Sequence, residues 1–447
     1  MKGLKLLERA FMTEETDRAP WVPFVGVHGA KLIGVDAESY LKSSKYIVDG
    51  ISKAVELYRP DGLPVVFDLQ IEAEVLGCRL AWSKENPPAV ISHPLAEGVA
   101  LSQLRLPEKT DGRFPVELEA ASILRKRYPD LALYGLITGP FTLALHLMGT
   151  GIFMNMFEEP GRVSEVMDFC TRVAIRHAGM LLEAGCDVIA VVDPMTSQID
   201  PDSFRTFVSP SAGLIFDYVR SKDKFSSFFV CGHAQQNIEV MCDCGPDNIS
   251  IDENIPLDYV KAIALEKGIS FGGNLKLTSV LLLGNEQESR KEAVDCLDPG
   301  GNRGFILAPG CDLPMDTPVK NLQAVTGMVY DAYERQVVRE MAHSSSLGPL
   351  DLTDHWTEGK VVIDVITLDS SSCAPCQYMM EAVRQAASGF GDKVVINEHK
   401  IKEKDGIRMM LSLAVQNVPT TCINGKVAFI SQIPPKTEII KAIENAF

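Results

Sequence analysis

Phe228-Phe229-Val230-Cys231-Gly232-His233 and, further along, Ala308-Pro309-Gly310-Cys311 share one form: a short apolar run ending in a glycine and cysteine turn. Short apolar runs bounded by turn residues read as buried strands. Each cysteine therefore sits where a strand opens onto a loop, the position at which parallel α/β barrels place their chemistry. Two thiols held there can bind a soft metal, form a disulfide or activate a thiol substrate. A second pair, Cys373-Ala374-Pro375-Cys376, poses the same choice in what reads as a separate domain.

Working outward, strand-like runs fall at Trp21–Val27, Pro64–Leu69, Leu131–Ile137, Asp187–Val192, Phe225–Val230, Asn248–Ile251, Ile269–Gly273 and Phe305–Leu307. Helical stretches such as Gly161–Glu183 and Leu257–Glu266, with apolar residues at three and four spacing, lie between most of them. Eight strands alternating with helices predict a (β/α)8 TIM barrel, closed by a last helix over Val319–Met341. Special residues cluster after the runs: His28, Asp68 with Glu72, Thr138-Gly139-Pro140, Asp193, Cys231-Gly232-His233, Asp252-Glu253, Asn274 and Cys311. In a barrel all of these strand ends converge on one mouth.

At 447 residues the chain has room for a barrel plus a smaller α/β domain. Its 46% hydrophobic content supplies a large core and argues against disorder. A formal net charge of −16 argues against nucleic acid and anionic membrane as partners. With no apolar run long enough to span a bilayer and no leader pattern at Met1, a soluble cytoplasmic protein is expected. Eleven cysteines, an odd number that includes a Cys-x-x-Cys, point to a reducing compartment and to metal or redox use.

The polar break His343–Pro349 marks the domain boundary, with a barrel over 1–342, a linker over 343–359 and a second domain over 360–447. That second domain reads as strand Val361–Leu368, helix Gln377–Ala387, strand Val394–Ile396, helix Gly406–Val415, and strands Thr421–Ile423 and Lys426–Ile430 around an Asn424-Gly425 hairpin turn, then a final helix. A Cys-x-x-Cys between a strand and a helix start suits thiol–disulfide exchange. The helix N-terminus favours a Cys373 thiolate, and Cys376 can resolve a mixed disulfide. Val418-Pro419-Thr420 adds weight, because such a proline, often cis, can lie against the dithiol in this kind of domain. With both elements present, residues 360–447 resemble a thioredoxin or glutaredoxin-like domain, which makes Cys373, Cys376 and Pro419 its catalytic residues. The plainer readings are a dimerisation domain or half of a zinc site.

Residues 1–340 resemble the uroporphyrinogen decarboxylase superfamily, and within it the methylcobamide:thiol (coenzyme M) methyltransferase branch. The matching stretches are Asp17-Arg18-Ala19-Pro20, Ile71–Cys78, Thr138-Gly139-Pro140-Phe141-Thr142, Glu183–Ile189, Val230-Cys231-Gly232, Gly273-Asn274, Leu307–Cys311, Thr317-Pro318 and Asn321. The decarboxylases carry an arginine-rich segment that grips the porphyrinogen carboxylates, whereas this chain reads Phe24-Val25-Gly26-Val27-His28-Gly29-Ala30-Lys31 there. A substrate with many carboxylates needs several cationic partners, so tetrapyrrole decarboxylation is disfavoured.

In the methyltransferase branch a His-x-Cys-Gly turn and a Pro-Gly-Cys cysteine bind zinc, which activates a substrate thiol. The resemblance makes Cys231 and Cys311 metal ligands here, but Phe229 stands at the histidine position and cannot ligate. His233 and His28 are the leading candidates to complete the set, with Glu72, Cys242 and Cys244 as further options. The plainer readings are a helix-capping turn residue for His233, a polar core or substrate-contact residue for His28, and packing for Cys242 and Cys244. Asp68, Glu72, Asp193 and Asn274, with His28, are candidate substrate-binding residues. The acidic ones could equally form salt bridges across the mouth.

The resemblance implies a corrinoid-dependent methyltransferase that moves a methyl group between methylcobalamin and a thiol or small methylated substrate. No Asp-x-His-x-x-Gly motif occurs, so the corrinoid is expected on a partner protein. The second domain would keep Cys231 and Cys311 reduced, or handle a thiol product, drawing on a cellular dithiol reductant. The alternative is a redox barrel in which Cys231/Cys311 cycles as a disulfide reduced by Cys373/Cys376. An inert scaffold is a third reading, and a homodimer is the expected assembly.

Overall fold

The computed structural model describes residues 3–332, 335, 338, 350, 352, 355–356, 359–371, 373–415 and 418–447. Most of the expected 343–359 linker lies outside these residues.

Seven parallel strands, Gly62–Pro64, Ala132–Thr138, Val188–Val192, Phe225–Val230, Asn248–Ile251, Ser270–Leu275 and Phe305–Pro309, lie side by side in chain order. Buried on both faces, they read as nearly continuous apolar runs, as parallel strands wrapped by helices must. The expected first strand, Trp21–Val27, does not form. Trp21 makes a single parallel bridge to Leu307, and Asp61 N donates to Trp21 O at 2.8 Å across the other side of the seam. Pro20 and Pro23 lack the N–H groups that a longer ladder needs. The sheet is therefore an open, distorted barrel rather than a closed eight-stranded one. The second run is also displaced: its strand ends at Pro64 instead of starting there.

Alternation along the strands separates two cores. Phe229 points into the barrel with Phe24 and Phe67, at ring-centroid distances of 5.2 and 6.1 Å, and Cys231 and Cys311 pack on that cluster. Phe228 and Val230 point outward against the helical layer. The long helix Pro160–Ala184 starts with proline in its first turn and stops at Gly185, whose φ of 111° supplies the left-handed cap. The closing helix runs over Val319–Tyr330, and most of the rest of its expected span lies outside the described residues.

The carboxy-terminal sheet has the order Val394–Lys400, Val361–Thr367, Thr420–Ile423, Lys426–Ile430. The first pair is parallel and the others antiparallel. Helices Ala374–Ala387 and Lys436–Glu444 cover one face, and Lys404–Ser412 covers the other. Asn424 and Gly425, at φ 46° and 76°, make the tight hairpin turn, and the Val418–Pro419 bond is cis.

This domain docks on the barrel mouth beside a small hairpin, Leu80–Ala81 with Ala89–Val90. Gln377 Nε2 donates to Val90 O at 2.7 Å, Lys402 Nζ to Asn86 Oδ1 at 3.2 Å, and Asn86 Nδ2 to Ser371 Oγ at 3.3 Å. Tyr378 is buried in the barrel's own core cluster, 6.1 Å from the His93 ring. No helix among the described residues is long and apolar enough to cross a membrane.

Candidate active site

The docked domain roofs a cavity of about 150 Å³, enough for several waters or a small molecule. Cys231, Cys311, Cys373, Cys376 and Pro419 all line it. Both dithiols therefore face one enclosed space. The Cys231 and Cys311 sulfurs lie 2.9 Å apart, and those of Cys373 and Cys376 2.6 Å apart, all four as free thiols. Cys373 is the N-cap of its helix, and Cys376 Sγ accepts from Leu368 N at 3.2 Å.

The thiol contact with Cys311, then burial, holds Cys231 well above the ordinary thiol pKa. Cys373 is held up in the same way by Cys376 and burial, so the roofed position offsets the thiolate stabilisation expected from the helix start.

Three carboxyl groups surround the barrel pair. Asp252 accepts from Gly232 N at 2.8 Å and from Asn254, and burial raises its pKa. Glu253 accepts from Leu277 N at 2.5 Å, and burial followed by the Asp252 charge pushes it up to about 8. Asp312 accepts from Gly26 N at 2.8 Å and is also raised, by burial. Lys402, from the carboxy-terminal domain, brings a cation to the same cavity wall. His146 lines the wall too, and burial lowers it to about 4, so its ring is neutral.

The other residues expected at the mouth turn into the scaffold. His28 is fully buried, with Nδ1 2.9 Å from Met315 O and Nε2 2.7 Å from the Tyr58 hydroxyl, so both ring nitrogens are taken. Asp68 pairs with Arg113 at 2.5 Å and caps Gln70 N. Glu72 accepts from Thr138 N and Oγ1 and meets His177 Nδ1 at 2.8 Å. Burial alone would lower His177, but Glu117 and Glu72 on its two sides raise it to about 10. Asp193 accepts from Phe141 N, Thr142 N and Thr142 Oγ1, which anchors the start of the Pro140–Met148 helix. Asn274 Nδ2 donates to Asp252 O and Ile255 O and so braces the loop that carries Asp252 and Glu253. None of these five lines the cavity.

His233 follows Cys231 closely in the chain, yet it does not line the cavity either. Among the described residues, Cys231, Cys311 and His233 do not bring three ligand atoms within 4.8 Å of one another. Phe229, where a third donor would stand, fills its space with an apolar ring. The residues present thus do not fit the zinc set of two cysteines and a histidine. Asp312 and Lys402 went unforeseen: Asp312 could have been noticed as the neighbour of Cys311, whereas nothing local marks Lys402.

The uroporphyrinogen decarboxylase (URO-D) family model matches residues 3–332, and a thioredoxin domain model matches 361–444. The methylcobamide:CoM methyltransferase MtbA of Methanosarcina acetivorans is 29% identical over 267 residues, 59% of this chain and 77% of the relative. MtaA of Methanosarcina barkeri, another methylcobamide:CoM methyltransferase, is 28% identical over 280 residues, covering 61% and 81%. The solved structure of a methyltransferase from Methanosarcina mazei superposes with a TM-score of 0.67 at 26% identity, over 73% of this chain and 98% of that one. The chain belongs to the uroporphyrinogen decarboxylase family. Within that family it falls in the MtaA/MtbA methyltransferase branch, here fused to a thioredoxin-like domain.

Proposed function

We propose that the protein transfers a methyl group between a corrinoid carried by a partner protein and a small thiol, or small methylated substrate, held at the barrel mouth. The Cys373/Cys376 dithiol maintains Cys231/Cys311 in the reduced state. One observation carries this reading: both dithiols line a single cavity at the strand ends of a methyltransferase-family barrel.

A corrinoid on the partner would give up its methyl group and keep the bonding electron pair, and the acceptor sulfur, once deprotonated, would take the methyl to form the carbon–sulfur bond. Asp252 and Glu253 stand where they can accept and release that thiol proton, and a Glu253 pKa of about 8 suits exchange near neutral pH. In the maintenance step, Cys373 attacks a Cys231–Cys311 disulfide and Cys376 then displaces the mixed disulfide. Two electrons pass to the barrel pair, and a cellular dithiol restores the carboxy-terminal one.

The relocated zinc site is set aside, because His233 does not line the cavity and both ring nitrogens of His28 are taken, so no nitrogen donor joins the two thiols. This same absence favours a second reading, in which Cys231/Cys311 is itself the redox centre. Methylcobalamin demethylation, assayed anaerobically with a panel of small thiols, separates the two. The methyl-transfer reading expects thiol-dependent turnover that falls in Cys231→Ser and Cys311→Ser. Wild-type protein that exchanges disulfides but never demethylates methylcobalamin would overturn it in favour of the redox barrel.

A further inference from the structure

Away from the residues that line the cavity, a charged residue interrupts an apolar strand of the carboxy-terminal sheet. The strand reads Val361-Val362-Ile363-Asp364-Val365-Ile366-Thr367, and Asp364 is fully buried at its centre. A buried carboxylate is costly unless it is paired or coordinates a cation. Asp364's ion-pair partners among the described residues are two imidazoles, with no lysine or arginine. His355 Nε2 lies 2.9 and 3.0 Å from the two Asp364 oxygens, and His399 Nε2 lies 2.7 Å from Oδ1. Asn397 Nδ2 donates to Oδ1 at 3.2 Å, which fixes the carboxylate from behind. Among the described residues this is the one group that places three such ligand atoms within 4.8 Å of one another.

We propose that His355, Asp364 and His399 bind a divalent transition metal, with zinc the ion best suited to the donor set. Two imidazoles and one carboxylate are an established zinc combination, and imidazole donors select against magnesium and calcium. Donors around a tetrahedral ion with bonds of about 2.0–2.1 Å stand about 3.3 Å apart. The contacts here, 2.7–3.0 Å, open to that spacing with shifts of a few tenths of an ångström. Each imidazole side chain is 18% exposed, so an ion can enter from solvent and keep a water as fourth ligand. His355 lies between the barrel and the first strand of the second domain, whereas Asp364 and His399 sit on the central and edge strands. The ion would clip the incoming chain to the sheet, a role independent of the chemistry at the barrel mouth.

Cobalt(II) reports on donor type, and titrating it into full-length, phosphine-reduced protein tests the site. The expected result is one equivalent bound in the micromolar range, with visible ligand-field bands and no sulfur-to-cobalt charge-transfer band. Binding should survive in the Cys231→Ser/Cys311→Ser double variant and weaken at least about tenfold in His399→Gln. Zinc should raise the Tm of the wild type but not of His399→Gln. Should His399→Gln fail to fold, His355→Gln takes its place. Absence of binding in the wild type, equal binding in the histidine variants, or a spectrum dominated by sulfur would each overturn the proposal.

Discussion

The two dithiols arrive at similar geometry by opposite routes. Cys373 and Cys376 are three residues apart at a helix start, so local sequence places them together almost unaided. Cys231 and Cys311 are 80 residues apart and meet only because their strands end at the same rim. Nevertheless, both pairs bring their sulfurs within 3 Å, and in both the first cysteine is pushed up by its partner thiol and by burial. The local pair is a portable device, whereas the barrel pair is only as well aligned as its scaffold.

The strongest challenge to this pairing is Cys376→Ser, which removes the resolving thiol. After mild oxidation a covalent link between Cys373 and Cys231 or Cys311 should accumulate in most molecules, visible by peptide mass spectrometry. Finding no such link would mean that the two pairs do not communicate.

Next in size, Arg113→Ala should unsettle the barrel pair alone. It strands Asp68, whose side chain is fully buried, without its cation; breaking a buried pair costs about 3–5 kcal/mol. Urea unfolding should show the barrel transition moving while the carboxy-terminal one stays.

Glu253 should give the barrel pair a pH dependence that the carboxy-terminal pair does not share. Between the ordinary carboxylate range and about 8 the unfolded chain has released this proton and the folded chain has kept it. Stability therefore falls as pH rises through that window and levels off above it. Glu253→Gln should flatten this part of the stability profile and remove an inflection near 8 from the reactivity of Cys231. Reactivity of Cys373 measured in the same samples should keep its shape.

The smallest effect belongs to Gln377→Ala, which deletes the 2.7 Å bond to Val90. A net loss of about 0.5–1.5 kcal/mol should slow exchange between the pairs several-fold, with each pair's own midpoint potential unchanged.

Much of this was legible in the residues. Phe225–Val230 and Asn248–Ile251 are strands over the expected spans, because β-branched and aromatic runs between turn residues have few alternatives. Trp21–Val27 reads equally well until Pro20 before it and Pro23 within it are weighed against the ladder. Strand ends located the rim, but beyond a strand the period-two rule no longer says where a side chain points. Asp68, Glu72 and Asp193 sit at that rim and turn inward to hold Arg113, His177 and a helix start. Asp252 and Glu253, in the same kind of position, face the cavity. Lys402 reaches the site from the other domain, so no local pattern could announce it.

The docked roof would also set the kinetic order of the dithiol exchange proposed beneath it. A freely diffusing reductant would meet the barrel thiols at a rate proportional to its concentration. With Cys373 and Cys376 already facing the cavity that Cys231 and Cys311 line, the exchange proposed above would be unimolecular. Its half-time should be unchanged when the protein is diluted a thousandfold, so each molecule carries its own clock.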